Sequence, residues 1–292
     1  MKNKLIISSL FAFYLVAACH GTTTQDEQKQ YDREIIEAYK LIDSGQTDRA
    51  IEKLNQMLTK NPNDTQLRVT LASAYARHAG ISMTDFFPLA KTLSQTTGTN
   101  RKRKRTRALF ERLAIRIPPE YNDAFKIIDA LNRFVFELSD FMERFEKIPA
   151  IQPHQIPAIL HAIYTLDGIV GITPGDSLFK ALLKAVRFKH NFLNAKIIAP
   201  SYSCQESIQV LSNHIIAMSA DIIDIFVDLE IAFPERAQNL NKSRMDIAES
   251  TRTLTSRLNL GNDEASLDSK MRILILNVIN DELLDGSIKC TL

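Results

Sequence analysis

Residues 31–64 read YDREIIEAYKLIDSGQTDRAIEKLNQMLTKNPND, and this stretch decides the fold class. Apolar and small residues recur in it every three or four positions, a spacing typical of amphipathic helices. They are Ile35, Ala38, Leu41, Ile42, Ala50, Ile51, Leu54, Met57 and Leu58. Between the two runs lies Asp43-Ser44-Gly45-Gln46, where glycine predicts the end of a helix and a turn. The stretch therefore predicts two helices joined as a hairpin.

The hairpin resembles a tetratricopeptide (TPR) repeat, whose 34-residue unit is a helix, a turn and a second helix. Ala38 and Ala50 stand at small positions of that unit, and Pro62 closes it. Glu34 and Leu41 depart from the pattern, because aromatic residues usually stand there. A generic helical hairpin is the alternative interpretation.

A second unit opens with Leu71, Ala72 and Tyr75 and then loses the pattern at Gly80 and Pro88. The resemblance implies that residues of the first helix in each unit line a concave partner-binding surface. In this second unit they are Gln66, Arg68, Val69, Ser73 and Arg77.

The rest of the chain predicts longer helices without a repeat. Helical spacing is found over residues 84–94, 109–117, 121–148, 161–170, 202–232, 234–258 and 264–284. Thr173-Pro174-Gly175-Asp176 predicts the start of another helix, with Thr173 as its N-cap. No stretch alternates long enough to require a sheet. We therefore expect an all-α fold of about eleven helices, in which residues 31–98 form TPR-like hairpins and residues 99–292 form a helical body packed on them.

The N-terminus carries an export signal. Lys2 and Lys4 precede an apolar run over residues 5–18, which is too short to span a bilayer but suits a signal peptide. The run ends in Leu15-Val16-Ala17-Ala18-Cys19, which resembles the lipobox of bacterial lipoproteins. That resemblance implies cleavage before Cys19, acylation of its thiol and anchoring to a membrane. An ordinary secretory signal cut near Ala18 is the alternative.

The residues after Cys19 predict where the anchored protein resides. The next residue is His20 rather than the Asp that retains lipoproteins at the inner membrane, so the outer membrane is favoured. Residues 19–30 are almost all polar and predict a flexible tether.

Charge excludes nucleic acid as a general partner. The full chain has a formal charge of +2, and loss of Lys2 and Lys4 with the signal leaves 34 basic and 34 acidic residues. Positive charge is concentrated in one segment, made of Arg101, Lys102, Arg103, Lys104, Arg105 and Arg107. In a membrane-anchored protein this segment could contact anionic headgroups or an acidic partner. A solvated polar loop is the alternative.

Two cysteines remain in the mature chain, Cys204 and Cys290. An exported protein usually meets an oxidising compartment, so a disulfide between them is one interpretation and two buried thiols are the other.

Enzyme motifs are weak. Gly175-Asp176-Ser177-Leu178 spells the signature of GDSL hydrolases, but it opens a helix and no Asp-x-x-His pair follows it. Two Glu-Ser dipeptides, at 206–207 and 249–250, resemble lytic transglycosylases in that dipeptide only. We expect no catalytic residue and no cofactor.

Asp221, Asp224 and Asp228 share one helix face. A solvated acidic face is the preferred interpretation, and a cation site or pairing with a basic neighbour are the alternatives. His154 and His161 are separated by Pro157, so we expect no metal site there either.

These features predict a cell-envelope lipoprotein that binds an unknown protein or peptide through its TPR-like helices. The alternative is an accessory lipoprotein of a transport system that binds a lipid or small molecule between its long helices.

Overall fold

The computed structural model describes residues 25–81, 122–144, 148–198 and 204–258. These residues form helices joined by turns, with no strand among them, which confirms the expected all-α class. The helices are α1 (Gln25–Asp43), α2 (Thr47–Lys60), α3 (Thr65–His78), α4 (Asn122–Arg144), α5 (Ile156–Asp167), α6 (Pro174–Ile198), α7 (Cys204–Ala232) and α8 (Ala237–Leu258). Single 3-10 turns at Pro153–Gln155 and Pro234–Arg236 lead into α5 and α8.

The predicted helix bounds differ from the structure mainly at α5. We expected Pro157 to precede a helix beginning at His161, but α5 begins at Ile156 and contains Pro157 in its first turn. A first-turn proline is tolerated because its missing N–H would have no partner within the helix. The helices expected over 84–94, 109–117 and 264–284 lie outside the described residues.

Helix α1 extends into the segment assigned to the tether. It begins at Gln25, so residues 25–30 are helical rather than part of a flexible linker. Asp26 and Glu27 stand in the first turn, where acidic side chains favour a helix. Side-chain hydrogen bonds from Gln28 to Asp32 and from Gln30 to Glu34 join successive turns. The polar composition of residues 25–30 did not by itself predict these hydrogen bonds.

The turn between α1 and α2 follows the predicted glycine stop. Gly45 has a φ of 77°, and the N–H groups of Gly45 and Gln46 donate to the carbonyl oxygens of Ile42 and Leu41. This is a Schellman ending, which requires the left-handed conformation that glycine adopts without strain. The hairpin core consists of Ile35, Ala38 and Ile42 from α1, Ala50, Leu54 and Met57 from α2, and Leu67, Leu71 and Ala74 from α3.

Helix α3 joins this hairpin to the rest of the described fold. Its small residues Ala72, Ala76 and Ala79 belong to the larger core and allow α5 to approach closely. The side-chain amide of Gln155 donates to the Ala79 carbonyl oxygen at 2.6 Å. A further contact is the stacking of the Tyr75 ring on the His161 ring, with centroids 5.2 Å apart. The helical body therefore packs on α3 through α5.

The larger core lies in a bundle of longer helices. Helix α7 packs against both α6 and α8, and α4 packs against α8. Phe141 of α4 is buried, and its ring meets Phe188 of α6 and Phe226 of α7 edge to face, at centroid distances of 5.1 and 6.0 Å. These contacts join α4, α6, α7 and α8 in one core.

Candidate functional site

The site with the strongest case is a surface shared by α1 and α3. Tyr31 of α1 donates a hydrogen bond to Asp64, the N-cap of α3, and Tyr39 contacts Thr70 about two turns further along both helices. These two contacts show that α1 and α3 run side by side in the same direction. The Asp64 carboxylate also accepts the Leu67 N–H at 3.0 Å, which fixes the start of α3.

Burial and the neighbouring acid hold the Tyr31 hydroxyl in its neutral form. Burial raises its pKa above the ordinary value, and the hydrogen bond to Asp64 raises it further. Tyr31 therefore remains a hydrogen-bond donor to Asp64 at neutral pH, and this contact between α1 and α3 persists.

Tyr39 is held at the centre of this surface. The Thr70 hydroxyl donates to the Gln66 carbonyl oxygen at 2.7 Å, so its oxygen is left to accept. The Tyr39 hydroxyl, 3.1 Å away, is therefore the donor in the Tyr39–Thr70 bond. This bond anchors the tip of the tyrosine while its ring stays 44% exposed.

An apolar pair lies beside a polar strip. Ile36 is three residues before Tyr39, so both lie on one side of α1, and Ile36 is 52% exposed. Ser73 and Arg77 follow Gln66 by seven and eleven residues, so the three form one strip on α3, next to Thr70. We call Ile36, Tyr39, Gln66, Ser73 and Arg77 the α1/α3 face.

Two residues of the predicted partner surface lie elsewhere. Val69 packs against the larger core, and so it is not available on an open surface. Arg68 lies on the opposite side of α3, where its guanidinium donates twice to the Pro62 carbonyl oxygen, at 3.1 and 2.9 Å. The Arg68 guanidinium also lies against Gly168 at the end of α5, where a Cβ atom on residue 168 would collide with it. The prediction placed all five residues on one concave surface, whereas Val69 packs on the larger core and Arg68 lies against the end of α5.

No protein-family model, curated protein or solved structure matches this chain.

Several other predicted features lie partly or wholly outside the described residues. None of the helices in 25–81, 122–144, 148–198 or 204–258 is long and apolar enough to cross a membrane. Cys19, Cys290 and the basic segment from Arg101 to Arg107 lie outside these ranges. Cys204 is the first residue of α7, so the predicted disulfide stays a prediction.

The GDSL-like sequence has a structural role. Thr173 caps α6, because its Oγ1 accepts the Asp176 N–H at 3.2 Å and donates to the Asp176 carboxylate. The Ser177 side chain does not take part in the cap. It is fully buried and donates to the Asp228 carbonyl oxygen of α7 at 2.8 Å. Its hydroxyl therefore ties two helices together.

The three aspartates of α7 face three basic residues of α6. Lys184 Nζ lies 2.8 Å from Asp224 and 2.6 Å from Asp228, and Arg187 lies 2.6 Å from Asp221. Lys180 lies 2.6 Å from Asp167 at the end of α5 and 3.7 Å from Asp228. We call these three cations and four carboxylates the ladder.

The ladder corrects the preferred interpretation of the aspartates. A solvated acidic face is wrong for Asp221 and Asp228, whose side chains are 16% and 5% exposed, while Asp224 is half-exposed. The alternative of a basic neighbour is confirmed for all three. Within the described residues, no cluster of His, Cys, Asp and Glu is placed to hold a metal ion.

Burial and pairing shift the pKa values of two ladder groups. Burial lowers the pKa of Lys180, but the hydrogen bond to Asp167 and the charges of Asp228, Asp167 and Asp224 together raise it above the ordinary value. For Asp228, burial raises the pKa and outweighs the opposing effect of Lys184 and Lys180, and Asp224 raises it further. Asp228 is therefore the ladder carboxylate that holds a proton more readily than an ordinary Asp.

The sequence carries a signal for the exposed pair on α1 and another for the basic side of the ladder, and our predictions included neither. Ile36 and Tyr39 precede Thr70 and Ser73 by one 34-residue repeat unit. The partner surface predicted on the second unit therefore has its equivalent at Ile36 and Tyr39 in the first unit. Lys180, Lys184 and Arg187 are spaced by four and three residues, which gives one helix face complementary to the aspartates.

Proposed function

We propose that the chain is a lipid-anchored protein of the bacterial cell envelope that binds a protein or peptide through the α1/α3 face. The observation that carries this proposal is the exposed pair of Ile36 and Tyr39. Large apolar side chains rimmed by polar groups are typical of binding surfaces. Tyrosine adds contact area at little cost in side-chain entropy, and the hydrogen bond to Thr70 reduces that cost further.

The anchor supports a partner close to the membrane. The lipobox-like sequence places the acyl chains on Cys19, and α1 begins six residues later at Gln25. Six residues of any conformation span at most about 20 Å. The α1/α3 face is therefore held near the membrane, and His20 favours the outer membrane. The packing of α1, α2 and α3 supports the TPR-like interpretation, because the helices at first-helix positions are the ones that form the face.

The proposal predicts that Ile36→Asp weakens binding. The substitution replaces an apolar side chain with a carboxylate that must lose its water on binding. The lost apolar burial is about 1.5–3 kcal/mol, which corresponds to a tenfold or greater loss of affinity. The measurement is recovery of the co-purifying partner from solubilised envelopes by the full-length protein. Met245→Asp is the matched control, because Met245 is an exposed apolar residue of α8.

We expect full recovery with Met245→Asp and at least a tenfold loss with Ile36→Asp. Equal recovery by the two variants would exclude this face. A Cys19→Ser variant tests the anchor separately, since it is expected to leave the membrane fraction while retaining an intact face.

A further inference from the structure

We propose that Asp228 is a proton-binding site of the bundle: as the pH falls it takes up the proton that balances the ladder, and α6 and α7 stay joined by the three remaining carboxylates. This inference is independent of the proposed function. It rests on the number of charges in the ladder, on their distances and on the burial of Asp228.

The ladder contains one more carboxylate than cations. Lys180, Lys184 and Arg187 face Asp167, Asp221, Asp224 and Asp228, so the ladder carries a net charge of −1 when every group is ionised. An uncompensated charge is costly in a buried site, and a buried carboxyl group avoids the cost by binding a proton. Uptake of one proton makes the ladder neutral.

The distances show that the ladder can spare the charge of Asp228. Without it, each cation still has a close partner: Lys180 has Asp167 at 2.6 Å, Lys184 has Asp224 at 2.8 Å and Arg187 has Asp221 at 2.6 Å. Asp224 could be spared in the same way, because Lys184 would keep Asp228 at 2.6 Å. The Asp224 side chain is 47% exposed, however, and that of Asp228 only 5%, so burial selects Asp228 as the group that binds the proton. Each cation therefore keeps an ionised partner when Asp228 binds a proton.

The surroundings of Asp228 also favour the neutral form. Its side chain is 5% exposed, so the carboxylate has little contact with solvent. Lys184 lies 2.6 Å from its Oδ2 and favours the ionised form, but burial outweighs this effect. The other charges facing Asp228 are Lys180 of α6, Asp224 of its own helix and, beyond Lys180, Asp167 of α5. On the α8 side of α7, Arg244 pairs with Glu230 instead.

The sign of the pH effect follows from this raised affinity for a proton. The folded protein binds a proton at Asp228 at pH values where the unfolded chain does not, so this group stabilises the fold at low pH. That contribution is complete below the ordinary Asp pKa of 3.8 and is lost as the pH rises through the folded value. Asp228→Asn mimics the protonated form and removes the dependence.

The test compares urea unfolding of the full-length protein and of Asp228→Asn between pH 4 and pH 8, followed by circular dichroism. The ratio of the wild-type unfolding constant to that of the variant should rise with pH, by up to tenfold per unit. Asp26→Asn is the matched control, because the Asp26 side chain is 96% exposed, and its ratio should stay flat. A flat ratio for Asp228→Asn would overturn the proposal, as would failure of this variant to fold.

Carboxyl NMR gives a second readout. The 13C resonance that disappears in Asp228→Asn should titrate above 3.8 in the wild type, and a titration at or below that value would contradict the proposal. In Asp167→Asn, Lys180 loses its nearest partner and turns to Asp228, so the same resonance should titrate at lower pH. An unchanged titration would show that the ladder does not control the site.

Discussion

Replacing Lys184 with methionine is expected to lower the free energy of unfolding by about 3–5 kcal/mol, the usual cost of removing one partner from a buried ion pair. The Lys184 side chain is 3% exposed and contacts two carboxylates. Without it, Asp228 retains only Lys180 at 3.7 Å. Methionine has a similar size, so the loss comes from charge rather than from a cavity. Urea unfolding at pH 7 measures it.

Two controls separate the ladder from a general effect of losing a lysine. Lys53 pairs with Glu37 at 2.5 Å, but the Glu37 side chain is 59% exposed, so Lys53→Met should cost much less stability than Lys184→Met. Adding Asp228→Asn to Lys184→Met should recover much of the loss, because the buried charge disappears with its partner. If Lys184→Met cost no more than Lys53→Met, the ladder would not stabilise the bundle.

The second large effect is expected from Phe141→Ala, at about 3–5 kcal/mol. Phe141 is 1% exposed and its ring joins α4 to α6 and α7 through Phe188 and Phe226. Truncation removes apolar burial and leaves a cavity among three helices. Tyr164→Ala is the matched aromatic control, because Tyr164 is 64% exposed, and should change stability by less than about 0.5 kcal/mol. A loss below about 1.5 kcal/mol for Phe141→Ala would place this ring outside the cooperative core.

Local patterns were sufficient for the helices and their ends. Apolar spacing predicted the hairpin, and Gly45 and Thr173 ended and began helices where the structure has them. These signals work because each depends on interactions within about one helical turn. The start of α1 was missed because its support comes from polar side-chain pairs, which hydrophobic spacing does not register.

Long-range packing could not be predicted in the same way. The spacing of Asp221, Asp224 and Asp228 placed them on one face, but their burial depends on α6, whose cations lie more than 30 residues earlier. Likewise, the sequence placed Val69 on a partner surface. In the structure α5, about 90 residues later, covers that side of α3. A helix face identified from sequence therefore needs its neighbours before solvent exposure can be assigned.

The proposed binding of a protein partner by the α1/α3 face can be tested in intact cells. Its most direct test replaces Tyr39 with the photocrosslinking residue p-benzoylphenylalanine in the anchored protein and irradiates intact cells. Met245, replaced in the same way, is the control on α8. We expect an adduct of discrete mass from position 39, reduced by Ile36→Asp, and none of that mass from position 245. Absence of an adduct at 39, or the same adduct from both positions, would contradict the proposal.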